Sequence, residues 1–307
     1  MRVWVAAFVS VCLITPAEAG WQSRDSNYNT VFTAGGGGGP YVGPGDVVSG
    51  ARMWWGLRAY SAATAGTKIA NICNASAICA DINSTASGDF DIATAQGGTL
   101  NCGGAGGTCT IKTFYDQTAG NNCTAATCDI TDNFSSANRP TLVFNCIGTK
   151  VCLSYNGTAN SLATQTAVTS ISQPVTFSGI ANSTNTGAQQ ALVTTNGGGS
   201  AQVGYRNSAN NQVFSYAGSV LAATASDGSF HALQAVFNGG SSDINVDGTQ
   251  NTGTAGTNVA TGSGYLGSAG ATQFLNGKVT EAGTWPIGFS STQSSNMSSN
   301  QHSYWGF

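Results

Sequence analysis

The chain has 307 residues, 41% of them hydrophobic and only 7% charged, with a net charge of −3. An ordinary soluble domain carries about 25% charged residues. Here Ser, Thr, Asn, Gln and Gly must form the surface, and the shortage of Glu and Lys, the usual residues of helix surfaces, excludes a mostly helical protein. Scattered basic residues on a slightly acidic chain exclude nucleic acid and an anionic membrane surface as partners. Six tryptophans and the apolar content exclude a wholly disordered chain.

In chain order, Arg2, the apolar residues 3–14 and Ala17-Glu18-Ala19 supply the three parts of a secretory signal. Residues 1–19 are therefore expected to be removed, leaving Gly20 as the first residue. The apolar run is too short to span a bilayer and no other stretch comes near that length. Export without membrane insertion follows, to the medium, the periplasm or the cell surface. Residues 20–50 contain Gly35 to Gly39, Pro40, Gly43, Pro44 and Gly45, and read as a flexible segment. The folded domain is expected over residues 51–307. Trp54, Trp55, Leu57 and Tyr60 fit one face of a short helix, and residues 91–96 a second helical turn.

From Cys109 onward the pattern is that of short strands separated by Gly, Asn and Ser turns, as in a sandwich or barrel. Thr110-Ile111-Lys112-Thr113-Phe114-Tyr115 alternates polar with apolar and predicts a strand with one buried face. It ends in Asp116-Gln117-Thr118-Ala119-Gly120, where Asp116 can cap its own turn. Residues 227–239 read as a further strand. Asp243 to Gln250 read as a hairpin turning at Asp247-Gly248, and residues 274–287 as a closing strand. No fixed-period repeat is present, which excludes a solenoid.

Eight of the nine cysteines remain once Cys12 is removed with the signal. They fall into four pairs of close neighbours: Cys73 with Cys79, Cys102 with Cys109, Cys123 with Cys128, and Cys146 with Cys152. Sequential disulfides that staple loop tips are expected in an exported chain. The spacings are not those of zinc sites and no histidine lies near them, so neither metal nor cofactor is expected.

Two blocks resemble a known family. Arg58-Ala59-Tyr60-Ser61-Ala62-Ala63-Thr64-Ala65-Gly66 is followed by the Cys102–Cys109 loop running into Ile111-Lys112-Thr113-Phe114-Tyr115-Asp116-Gln117. This order is similar to the catalytic domain of α-L-arabinofuranosidase B, glycoside hydrolase family 54, with its R-A-L-Y-S-A-Y-T-G block and its Cys-loop leading to I-I-Y-D-Q-S-G. The match covers residues 51–122. Farther on, the Phe230-His231 strand, the Asp247-Gly248 hairpin and the Phe274-to-Glu281 strand resemble laminin-G and concanavalin A-like jelly rolls. Together the resemblances imply an all-β concanavalin A-like jelly-roll β-sandwich, with short helices near the N-terminus of the domain.

Glycoside hydrolysis of the usual kind needs two carboxylates. The resemblance puts the nucleophile near residues 204–208 and the acid/base near residues 267–271, and neither segment holds Asp or Glu. Residues 177–226 contain no carboxylate at all. The family's adjacent Cys-Cys pair is absent too. Asp116 reads as a turn cap, with a sugar or calcium role as the alternative; Asp247 reads as a turn residue, and Glu281 as facing either the core edge or a groove. His231 and His302 are the only histidines. Serines are plentiful, but a Ser–His–Asp reading lacks a G-x-S-x-G elbow, so His231 is assigned to its strand.

Sugar recognition asks for less: aromatic faces for ring stacking and planar amides for hydroxyls. Tyr205, Arg206, Asn207, Asn210, Asn211, Phe214 and Tyr216 supply both, in the position of the family's sugar-contacting segment. Tyr205, Arg206, Asn207, Tyr216 and Asp116 are thus the candidate substrate-binding residues. The sequence favours an exported protein that binds a plant-type or cell-surface polysaccharide without hydrolysing it. The alternative is an active α-L-arabinofuranosidase releasing terminal arabinofuranose.

Overall fold

The computed structural model describes residues 40–118, 123, 128–133, 135–184, 188–206, 211–226 and 228–307. The expected signal and residues 20–39 lie outside the described residues. Every strand pairing in the main sheet is antiparallel, and the molecule is an all-β sandwich of the jelly-roll type.

The strand Asn276–Trp285 organises the sheet. It pairs with Met53–Gly56 in the register Trp55↔Ala282, and with Val175–Ser183 in the register Phe177↔Thr284. Its first half also pairs with Lys150–Asn156, in the register Gly277↔Tyr155. Beyond Val175–Ser183 come His231–Phe237, Ser242–Val246 and Thr249–Gly253. The last two form the hairpin expected from Asp247-Gly248, with φ of 52° at Asp247 and 86° at Gly248. A second run joins Gln190–Thr195, Gln202–Arg206, Gln212–Tyr216 and Val220–Thr224 edge to edge.

The two faces of the central strands are buried in different ways. Val175, Phe177, Leu233, Ala235, Phe237 and Ile244 enter the apolar core with Trp55, Ile111 and Phe114. On the opposite face Ser178, Gln234, Asn245 and Glu281 lie under the C-terminal helix Ser291–Trp305. A smaller apolar cluster of Val48, Trp54, Val236, Trp285, Phe289 and Met297 seals the edge of that layer.

Several expectations need correction. Trp54 and Trp55 belong to a strand, not a helix: both faces of Met53–Gly56 are buried, so no alternation marks it. Residues 40–50 are part of the domain. Pro44–Val47 is a short helix, Gly45 N–H donates to Tyr60 O at 2.7 Å, and Asn300 Nδ2 donates to Val42 O at 3.0 Å. Gly43 and Gly45 serve close packing; a Cβ on Gly45 would lie 2.4 Å from the Tyr60 ring. The short helices expected near the N-terminus of the domain are present, and the longest helix, Ser291–Trp305, lies at its C-terminal end. The turn at Ile92–Gln96 forms as expected, with Asp91 Oδ1 accepting from Thr94 N at 3.0 Å.

All four sequential disulfides are present: Cys73 with Cys79, Cys102 with Cys109, Cys123 with Cys128, and Cys146 with Cys152. Their settings are not all those of loop tips. Cys73 ends the strand Lys68–Cys73 and Cys79 opens Cys79–Asn83, so this bridge closes a hairpin at the register pair Cys73↔Cys79, with Cys73 buried and Cys79 exposed. Cys146 and Cys152 lie within the paired strands Thr141–Ile147 and Lys150–Asn156, and Cys152 is fully buried. The expectation of stapled loop tips is corrected for these two bridges, which link neighbouring strands beside a turn.

Candidate functional site

Tyr205 does not offer its ring to a ligand. It is 6% exposed, its ring joins the apolar core, and its hydroxyl donates to Ala181 O at 2.7 Å. Phe214, opposite Gly204 on the next strand, is fully buried. Tyr216 is half-buried and faces Gln202 and Val220 across its neighbours. The backbone of Arg206 continues the strand and pairs with Gln212, whereas Asn207 and Asn210 lie outside the described residues. Alternation explains the burial: Val203 and Tyr205 share one face of this strand and that face is the core. The stacking role given to Tyr205 is corrected accordingly.

Asp116 is a structural knot. Its carboxylate accepts from Trp54 N at 3.1 Å, Thr118 N at 3.0 Å, Thr118 Oγ1 at 2.8 Å and Cys128 N at 3.3 Å. Burial pushes its pKa up to about 6, against the pull of these donors. Gln117 accepts from Tyr60 N at 2.9 Å and donates to Gly56 O at 2.9 Å and Arg58 O at 3.1 Å. The two blocks that carry the sequence resemblance therefore brace one another.

Glu281 faces neither groove nor solvent. It is fully buried with Arg58, whose Nε and Nη2 donate to its two oxygens at 2.5 and 2.9 Å. Gln301 Nε2 and Trp305 Nε1 add donations at 3.0 and 2.9 Å, and the guanidinium lies 4.5 Å from the centroid of the Tyr304 ring. Four donors occupy this carboxylate, which leaves no lone pair positioned for a reaction.

The two segments where the resemblance puts catalytic acids flank the strand Gln190–Thr195. Their described residues bring Tyr205, Arg206 and Ser268 and no acid, with hydroxyls and amides beside them. Ser268 Oγ lies 2.5 Å from Ser161 Oγ, Thr194 Oγ1 donates to Ser268 O at 3.0 Å, and Gln202 Nε2 donates to Gln273 Oε1.

A cleft of about 630 Å³ opens beside the edge strands Val220–Thr224 and Thr249–Gly253. Gln212, Thr224, Ser226, Thr249, Gln250 and Asn251 line it, with Ala222, Ala223 and Ala225 as its small apolar wall. At its end His231 Nδ1 lies 2.6 Å from Asp247 Oδ2, and His231 Nε2 lies 3.2 Å from Ser226 Oγ and 2.9 Å from Ser226 O. Asp247 Oδ1 also accepts from Ala232 N at 2.8 Å, and His302 Nε2 on the C-terminal helix is 3.1 Å away. Burial lowers the pKa of His231, but the bonds to Asp247 and the Ser226 carbonyl outweigh it and the net shift is upward. For Asp247 burial acts upward and the contacts with His231, Ala232 and His302 win, holding it below the usual carboxylate range. The sequence showed each of these residues but not their convergence. The one signal was the pairing of a Phe-His strand with an Asp-Gly hairpin.

No family model and no curated protein sequence matches the chain. Solved structures do. An arabinofuranosidase complexed with arabinofuranosyl-α-1,2-xylobiose superposes with a TM-score of 0.65 at 14% identity. A glycoside hydrolase family 54 α-L-arabinofuranosidase soaked with a cyclic sulfate inhibitor gives 0.64 at 13%, and a mutant of such an enzyme soaked with 4-nitrophenyl α-L-arabinofuranoside gives 0.63 at 14%. In each case the match covers 84% of this chain and 64% of the other, so the chain spans just under two thirds of the length of these structures. At such identity the likeness establishes the fold.

Proposed function

We propose that this is an exported carbohydrate-binding protein, built on the fold of a family 54 arabinofuranosidase, that recognises a neutral arabinofuranose-containing or related polysaccharide and leaves its glycosidic bonds intact. The observation that carries the reading is the content of the two segments that should hold the catalytic acids: a core tyrosine, an arginine, small and neutral polar residues, and no Asp or Glu. Paired carboxylates are what the chemistry requires, and Glu281 is consumed by Arg58. Four disulfides and a surface poor in charge suit an extracellular setting.

The binding surface is assigned to the cleft rather than to the ring of Tyr205. Gln212, Gln250 and Asn251 bring planar amides, of which Asn251 Nδ2 already donates to Ala222 O and Gln250 bonds Asp243, and Thr224, Ser226 and Thr249 bring hydroxyls, a set that reads sugar hydroxyls without an ionised partner. Calorimetric titration with arabinan, arabinoxylan and their oligomers tests this. Binding should weaken in Gln250→Ala and change little with added salt, because a neutral ligand is not screened. Hydrolysis of an aryl α-L-arabinofuranoside should be absent. Robust turnover lost on replacing one Asp or Glu would establish the chain as a glycosidase instead.

A further inference from the structure

The cleft also holds three side chains in the order in which a serine hydrolase uses them. Ser226 Oγ, exposed at the cleft wall, is 3.2 Å from His231 Nε2, and the far nitrogen of that ring is 2.6 Å from Asp247. The ring is 7% exposed and the carboxylate is fixed from two further sides by Ala232 N–H and His302. We propose that Ser226, His231 and Asp247 form a nucleophile, a general base and its orienting carboxylate for hydrolysis of short acyl esters carried on a neutral glycan. The identity of the ester's carrier rests on the glycan-binding reading; the chemistry does not. The short acyl chain follows from the wall of Ala222, Ala223 and Ala225 beside the serine, whose methyl side chains offer little apolar surface to a longer one.

In the first half-reaction Ser226 Oγ bonds to the ester carbonyl carbon as its proton passes to His231 Nε2. The bond from that carbon to the sugar oxygen then breaks, and the imidazolium gives the proton to the departing alkoxide. In the second, water loses a proton to the same nitrogen and attacks the acyl-serine. The carboxylic acid leaves and the serine hydroxyl is restored. Water is the only co-reactant. Asp247 keeps Nδ1 protonated, so that Nε2 is the nitrogen free to accept.

At rest Nε2 also faces the Ser226 carbonyl oxygen at 2.9 Å, a contact that favours the doubly protonated ring. Among the described residues, Asp247 is the titratable group bonded to it, His302 bonds Asp247 in turn, and the buried Tyr205 lies within reach of the Asp247 charge. Only the neutral ring can take the serine proton, so the rate must climb as His231 loses its charge, above the usual imidazole range.

The experiment uses the full chain with 4-nitrophenyl acetate, with acetylated xylan followed by acetate release, and with a fluorophosphonate probe located by peptide mass spectrometry. The expected result is ester hydrolysis that rises with pH, probe on Ser226, and loss of both in Ser226→Ala, whose exposed site leaves thermal stability unchanged. Replacing the base by His231→Gln should cost about 100-fold or more. Absence of hydrolysis above the buffer rate, or equal hydrolysis by Ser226→Ala, would overturn the proposal. Glycan binding of the unaltered chain, measured separately by calorimetry, tells that failure from failure of the binding reading.

Discussion

Glu281→Gln removes one charge from the buried Arg58–Glu281 pair, on which Gln301 and Trp305 of the C-terminal helix also converge. The variant keeps shape and volume, so no cavity contributes. What changes is that Arg58, fully buried, loses its counter-ion. A glutamine also has one acceptor oxygen and an amino group, whereas four donors converge here from Arg58, Gln301 and Trp305. At least one donor must then point at the new amide nitrogen. Breaking a buried ion pair on one side costs about 3–5 kcal/mol. For a domain of this size, each kcal/mol corresponds to about 2–4 °C in Tm, so a fall on the order of 10 °C is expected. Thermal and urea unfolding followed by near-ultraviolet circular dichroism, with disulfides intact, would read it. The double variant Arg58→Met/Glu281→Leu discards both charges and should recover part of the loss, because no uncompensated charge stays buried. A loss below about 1 kcal/mol for Glu281→Gln, or a double variant worse than the single, would refute the electrostatic account.

Tyr205→Phe removes the bond to Ala181 O and should cost about 1 kcal/mol in unfolding experiments while leaving glycan affinity untouched, the reverse of a stacking residue. Gly45→Ala puts a methyl against the Tyr60 ring and should cost about 1–3 kcal/mol by overpacking, read as a lowered Tm. The Asp247 clamp should make stability depend on pH. His231, shifted upward, contributes fully below the unfolded imidazole value of about 6.5, and its share is lost as pH rises through its folded value. Asp247, shifted downward, contributes fully above about 3.9 and loses its share as pH falls. Tm measured across pH 3–9 should show that window in the parent chain and not in Asp247→Asn; identical profiles would remove the clamp.

What could be read from the sequence was whatever local pattern encodes. The polar–apolar run of residues 110–115, the Asp-Gly hairpin and the close cysteine pairs each specify their structure within a few residues, and each element is present. The strand Thr110–Phe114, however, buries Ile111 and Phe114 across a register shift rather than alternate positions. Met53–Gly56 misled because a strand buried on both faces carries no period to detect. The C-terminal helix escaped for the opposite reason. Its buried residues include Ser294, Ser298, Asn300 and Gln301, because the sheet face beneath it is itself polar, so no apolar stripe announces it. Its only local marks were the Ser290/Gln293 capping box and Gly306 in the left-handed region. The candidate site was legible residue by residue and invisible as a whole. Ser226 and His231 are near in sequence, but Asp247 reaches them through a hairpin and His302 through a helix packed across it.

The strand Asn276–Trp285 sits between Met53–Gly56 and Val175–Ser183, and so is flanked by segments drawn from the far end and the middle of the chain. As the polypeptide emerges, Trp55 and Phe177 have no shared partner until this strand is made. Closing loops of that length costs entropy before any contact repays it. Cooperative assembly of this layer must therefore wait for nearly the whole chain, and Met53–Gly56, whose one strand partner among the described residues is this last strand, must wait for it unpaired. A nascent chain of this design holds Trp54 and Trp55 without a strand partner until its last strand is made.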